Sequence, residues 1–120
     1  MQKRTLVIGA SPNKYRFSHK AVQLLAKNGI DVIPIGIRNG KIDDIKILKG
    51  FPKLEGVHTV TLYISENHQK LYFDYIVSLK PRRIIFNPGS ENLDFEQVLI
   101  DKNIQFIHAC TLLMVSKGVY

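Results

Sequence analysis

Short runs of apolar, β-branched residues alternate with helical periodicity along the chain, and this alternation restricts the fold more than any other feature. Thr5-Leu6-Val7-Ile8 reads as a buried strand ending at Gly9. Phe17, Ala21, Leu24, Leu25 and Asn28 then share one helical face, and Gly29 closes that helix. Val32 to Ile35 gives a second strand, whose Pro34 suits a sheet edge or a strand end. Thr59 to Ile64 gives a third. Tyr72, Tyr75, Ile76 and Leu79 repeat at helical spacing before Pro81. Arg83 to Phe86 is a fourth strand, Phe95, Val98, Leu99 and Lys102 mark another helix, and Ile104 to His108 is a fifth strand. An apolar stretch, Leu112 to Val115, follows. Strands that are apolar on both faces and joined by helices predict a parallel sheet covered on both sides. Right-handed crossovers then give an α/β, three-layer, doubly wound sandwich, with its five strands expected in the order 3-2-1-4-5.

The 120 residues suit one domain, expected over 1–120. No apolar run approaches the ~20 residues that span a bilayer. The start, Met1-Gln2-Lys3-Arg4, is basic but is followed by only a short apolar run before Gly9, unlike a secretory leader. A single cysteine, Cys110, excludes an internal disulfide and suits a reducing, cytoplasmic setting. Lys and Arg number 17 against 10 Asp and Glu, a net charge of +7 that favours anionic partners. The charges are dispersed rather than gathered into a tract, which disfavours nucleic acid. Residues 37–56 show little periodicity of either kind. Asn39-Gly40, between Ile37-Arg38 and Lys41-Ile42, is a hairpin-turn signal. So long an irregular connection either covers a ligand or lays Ile42, Ile45, Ile47 and Leu48 over an exposed sheet edge.

Doubly wound sheets bind ligands beyond the carboxyl ends of their strands, where the strand order reverses. The expected order puts the loop after strand one opposite the loop after strand four. The first loop runs Gly9-Ala10-Ser11-Pro12-Asn13-Lys14-Tyr15-Arg16 into a helix. Gly9 permits close backbone approach, and a helix N-terminus offers free N–H groups and partial positive charge to a phosphate. Ser11, Asn13 and Ser18 add hydrogen-bonding groups, and Lys14 and Arg16 add charge; the plainer reading is a strand-to-helix turn capped by Ser18. The second loop runs Asn87-Pro88-Gly89-Ser90-Glu91-Asn92. Gly89 and Ser90 offer N–H groups to a second phosphate or a pantetheine-like chain, or else form a proline turn capped by Asn92 or Asp94.

What is missing narrows the nucleotide. Of the Gly-x-Gly-x-x-Gly fingerprint only Gly9 matches, since positions 11 and 14 are Ser and Lys. Gly36, Ile37 and Arg38 end strand two without the carboxylate that takes NAD ribose hydroxyls. A basic residue there suits an additional ribose phosphate, as in NADP or coenzyme A. The P-loop pattern is absent, and strand three ends in Tyr63-Ile64 rather than in a phosphoacceptor aspartate.

Val7-Ile8-Gly9-Ala10-Ser11-Pro12-Asn13, the strand end near Pro34, Asn87-Pro88-Gly89-Ser90-Glu91-Asn92 and Ala109-Cys110-Thr111-Leu112 together resemble the small single-domain CoA-binding proteins. These have a Rossmann-like fold similar to the N-terminal domain of the succinyl-CoA synthetase alpha subunit. The resemblance covers essentially the whole chain. It implies coenzyme A as ligand, with Gly9, Ala10, Ser11 and Asn13 on the pyrophosphate and Arg16 and Ser18 close by. It also implies Gly36, Ile37 and Arg38 beside the adenosine and its 3′-phosphate, Tyr63 and Ile64 on the adenine side, and Asn87, Pro88, Gly89 and Ser90 facing pyrophosphate or pantetheine. Many relatives carry an Asn-Pro turn after strand two, where this chain has Ile35-Gly36-Ile37-Arg38.

Catalytic groups are harder to assemble. His108 and Cys110 share a face only if strand five extends that far, and an inert buried thiol is the simpler reading. His19, His58 and His68 are scattered and lack metal-ligand spacing. Glu91, Asp94 and Glu96 suit a helix start. The phosphorylated histidine of succinyl-CoA synthetase lies in a domain absent here, so the resemblance carries no ligase activity. The expectation is therefore a CoA or acyl-CoA binding module, with residues 37–56 as part of its wall or lid. The alternatives are a small NADP-dependent reductase or other nucleotide-binding enzyme, and a basic interaction protein. The apolar tail Leu112 to Val119 leaves a homodimer open.

Overall fold

Pro34 decides where the second strand sits. A proline cannot donate to a sheet ladder, so its strand must leave that side unpaired or covered. In the computed structural model, which describes residues 3–120, β2 (Val32–Ile35) is accordingly the edge of the main sheet. Met1 and Gln2, part of the basic N-terminal reading, lie outside the described residues. Next to β2 runs β1 (Thr5–Ile8), then β5 (Thr59–Leu62), β6 (Arg83–Phe86) and β7 (Gln105–His108), all parallel. The sheet is the expected five-stranded, Rossmann-like one, but its order corrects the expectation. Counting only these five, the order is 2-1-3-4-5 and not 3-2-1-4-5. The third strand pairs with β1 because the far side of β2 is already occupied. Leu48 forms a parallel bridge to Ile35, donates to the Pro34 carbonyl at 2.9 Å and accepts from the Gly36 N–H at 2.9 Å.

Residues 37–56 thus act as an edge cover. Their hairpin, β3 (Lys41–Ile42) with β4 (Ile45–Lys46), turns at Asp43-Asp44 instead of the expected Asn39-Gly40, with Asp43 at a φ of 53°. Ile42 and Ile47 are buried against Val7, Val22 and Leu25. Only Ile37 and Arg38 of this segment reach the cleft described below.

The two faces follow the period-two alternation of the strands. Leu6, Ile8, Val60, Leu62, Ile84 and Phe86 face α3 (Phe73–Leu79) and α4 (Leu93–Asp101), burying Ile76, Phe95 and Leu99. Val7 and Val32 face α1 (Phe17–Lys27), while Thr61 meets α5 (Thr111–Ser116) through Thr111. The link from β5 to α3 is α2 (Glu66–Gln69) and one 3₁₀ turn, Lys70–Tyr72. At the other edge, β7 pairs only with β6 among the described residues, and Gln105, Ile107 and His108 are exposed. No helix is long and apolar enough to cross a membrane among the described residues.

His58, just before β5, titrates below its ordinary 6.5, first through burial and then through Arg83, Lys3 and Arg82. The folded chain binds this proton less readily than the unfolded chain, so this residue removes stability as pH falls below about 6.5. An NMR titration should place its midpoint under 6.5, rising when salt screens the three cations. A midpoint at or above the ordinary value would contradict this.

Candidate functional site

The strand order reverses between β1 and β5, so the loops after these two parallel strands lead away on opposite sides of the sheet and leave a crevice between them. The expected opposition of strands one and four is replaced by that of β1 and β5, with the β6 loop one strand further on. The carboxyl ends of β2, β1, β5 and β6 open into one cleft of about 560 Å³. Adjacent strands lie about 4.8 Å apart, so these four tips span roughly 14 Å. Gly9, Ala10, Ser11, Asn13, Arg16 and Ser18 line it from β1 and α1. Gly36, Ile37 and Arg38 line it from β2, Tyr63 and Ile64 from β5, and Pro88, Gly89 and Ser90 from β6.

Gly9 has a φ of 96°, and a Cβ there would lie 2.7 Å from the Tyr63 carbonyl oxygen. Its glycine is required by the seam between β1 and β5. The Gly9 and Ala10 N–H groups both donate to the Ile35 carbonyl, at 3.0 and 2.9 Å. Donors for an anion must therefore come from beyond Ala10. Asn13 organises that stretch: its N–H donates to Ser11 Oγ at 3.1 Å, and its Oδ1 accepts from the Tyr15 N–H at 3.0 Å. Buried His19 pairs its Nδ1 with the Ser11 carbonyl at 2.8 Å. The residue before α1 is Arg16, and no side chain among the described residues caps the helix, so Ser18 is not its cap. An uncapped eleven-residue helix keeps first-turn N–H groups and partial positive charge at the cleft. Gly36 completes this wall, since a Cβ there would lie 2.1 Å from the Ala10 carbonyl oxygen.

The β6 loop is arranged differently from the expectation. Asn87 is buried and does not line the cleft. Its Nδ2 donates to Thr61 Oγ1 at 2.6 Å and to the Leu62 carbonyl at 2.9 Å, and its Oδ1 accepts from the Thr111 N–H at 2.9 Å. Gly89 N–H donates to Glu91 Oε1 at 2.9 Å, and Ser90 N–H donates to the Asn87 carbonyl at 2.9 Å. The loop is a proline turn with both of those amides engaged, and Asn92 caps α4 by accepting from the Phe95 N–H at 3.0 Å.

Five further residues line the cleft: Phe17, Ser65, His68, Leu71 and Tyr72. The signal for Leu71 lay in the sequence, because it falls off the stripe of Tyr72, Tyr75, Ile76 and Leu79 and so has no place in the core. Ser65 Oγ and His68 Nδ1 are 2.9 Å apart. Buried Gln69 ties this segment down, donating to the Ile64 carbonyl at 2.9 Å and the Ser90 carbonyl at 2.6 Å. The Tyr63 hydroxyl turns away toward α5, buried without a hydrogen-bond partner among the described residues. Neighbouring Thr111 bonds to Thr61 Oγ1 instead, at 2.7 Å. Burial first, and Cys110 beside it second, push the Tyr63 pKa well above the usual phenol value. His108 and Cys110 do not form a pair: Cys110 is the extended residue just before α5, while His108 Nε2 meets Glu96 Oε2 at 3.0 Å.

A crystal structure of an uncharacterized protein is 41% identical to this chain with a TM-score of 0.96, covering 100% of this chain and 99% of that one. A Thermus thermophilus protein is 16% identical with a TM-score of 0.85, covering 99% of this chain and 91% of that one. A hypothetical protein from Pyrococcus horikoshii is 15% identical with a TM-score of 0.87, covering 97% and 83%. At such identities these last two speak for the fold alone. No curated protein matches the sequence. The sequence model of the CoA binding domain matches residues 3–116, and the chain belongs to that family.

Proposed function

We propose that the chain binds coenzyme A in the cleft as a binding module, its diphosphate at the start of α1 and its 3′-phosphate beside Arg38. The observation that carries this is the cleft's charge. Arg16 and Arg38 line it, no carboxylate side chain does among the described residues, and it lies where the strand order reverses between β1 and β5. A polyanionic nucleotide crossing the strand tips is complementary to that lining. The diphosphate takes its donors from Ser11, Asn13 and the uncapped first turn of α1, because the Gly9 and Ala10 amides are engaged elsewhere. Isothermal titration with coenzyme A, dephospho-CoA and NADPH tests the reading. Coenzyme A is expected to bind most tightly. Arg38→Ala is expected to weaken it roughly five- to tenfold, as for one exposed charge-assisted contact, and to leave dephospho-CoA unchanged. Absence of coenzyme A binding at millimolar concentration defeats the proposal, and preferred binding of NADPH turns it toward a reductase.

A further inference from the structure

We infer that the physiological occupant is a thioester of coenzyme A carrying a neutral aliphatic acyl group, not the free thiol or a dicarboxylic thioester. This rests on the coenzyme A reading of the same cleft and adds what lies beyond the sulfur. Leu71 lines the cleft with 73% of its surface exposed, and Phe17 does so with 67%. Large apolar side chains exposed within a concave site mark a ligand with an apolar portion.

The end of the cleft follows from the hydrogen bonds. Gln69 binds the Ser90 carbonyl, which fastens the segment bearing Leu71 to the β6 loop. Arg38 lies at the opposite, β2, end. A nucleotide anchored at Arg38 and the start of α1 therefore sends its pantetheine arm toward Leu71. The charges near this far end select against an acid. Glu91 holds its carboxylate on the N–H of Gly89, a lining residue, and would repel a terminal carboxylate on the acyl chain. The His68 ring is tied through Nδ1 to the Ser65 hydroxyl.

Calorimetric titration at pH 8 compares coenzyme A, hexanoyl-CoA and succinyl-CoA on the wild-type chain and on Leu71→Ser. This exposed substitution spares the core. Partial burial of the acyl methylenes predicts hexanoyl-CoA about tenfold tighter than coenzyme A, and succinyl-CoA no tighter than coenzyme A. Leu71→Ser should erase most of the hexanoyl gain, read as the ratio of hexanoyl-CoA to coenzyme A affinity within each protein. If coenzyme A binds but hexanoyl-CoA binds no better, or succinyl-CoA binds best, the acyl inference is overturned while the coenzyme A reading stands. If none of the three binds, the coenzyme A reading itself has failed.

Discussion

Gly9→Val is expected to destabilise the fold by roughly 3–5 kcal/mol, with left-handed strain at a β-branched residue supplying about 1–3 of these and overpacking the rest. The φ of 96° and the 2.7 Å approach of a Cβ to the Tyr63 carbonyl are both properties of the chain's own backbone. Against a typical total of about 5–15 kcal/mol this is a large fraction, and the midpoint of thermal unfolding should fall by at least about 10 °C. Lost ligand binding in this variant would then report a damaged β1–β5 seam, not an obstructed phosphate. Gly36→Ala separates the two ingredients. Its Cβ would meet the Ala10 carbonyl at 2.1 Å without a positive φ, so its effect isolates the clash. Ser11→Ala is the complementary probe, expected to keep the melting temperature within about 2 °C while weakening coenzyme A. A Gly9→Val protein that melts with the wild type would show that the seam can open, and the structural role assigned to Gly9 would be wrong.

Gln69→Glu is expected to be comparably damaging, with a pH dependence that identifies the cause. The wild-type amide donates to two carbonyls, of Ile64 and Ser90, and accepts from Asn92 Nδ2 at 3.1 Å, all at a fully buried position. The substitution removes both donors and places a carboxylate against two carbonyl oxygens. Each orphaned buried group costs about 1–3 kcal/mol, so a loss of roughly 3–5 kcal/mol at neutral pH follows. Burial raises the pKa of the new carboxyl in the folded state. The penalty relative to wild type is therefore smallest below the unfolded value of about 4.3 and grows as pH rises through the folded pKa. Denaturant unfolding of both proteins between pH 4 and pH 8 checks this. A penalty independent of pH would mean that the side chain escapes to solvent.

The alternation of strands and helices was readable because period two and period 3.6 are local properties. Strand order is not local, and it went astray at one residue. Pro34 already required an edge, whereas the order 3-2-1-4-5 would have placed its strand inside the sheet. Giving that missing N–H its full weight leads to the observed 2-1-3-4-5 order and moves the reversal to β1 and β5. The cleft residues after β1 and β2 were accessible from strand ends, whereas Tyr63 and Ile64 after β5 entered only through the family resemblance. Asn87 was misread because a side chain that satisfies buried backbone groups looks, in sequence, the same as one that greets a ligand. Leu71 went unnoticed because it lies beside the apolar stripe, where one exposed leucine needs no explanation until a cleft surrounds it. The committed amides of Gly9, Ala10, Gly89 and Ser90 depend on tertiary hydrogen bonds that no spacing reveals.

The two margins of the sheet are unequal, and this limits how copies of the chain can join. On β2, Pro34 has no proton to give, and Leu48 already engages the Pro34 carbonyl and the Gly36 amide. On β7 the outward amides and carbonyls stand open among the described residues. Fibrillar growth by strand addition needs two adhesive margins per molecule, and this molecule offers one. Joining through β7 would consume it in both partners, so such an assembly stops at a symmetric pair.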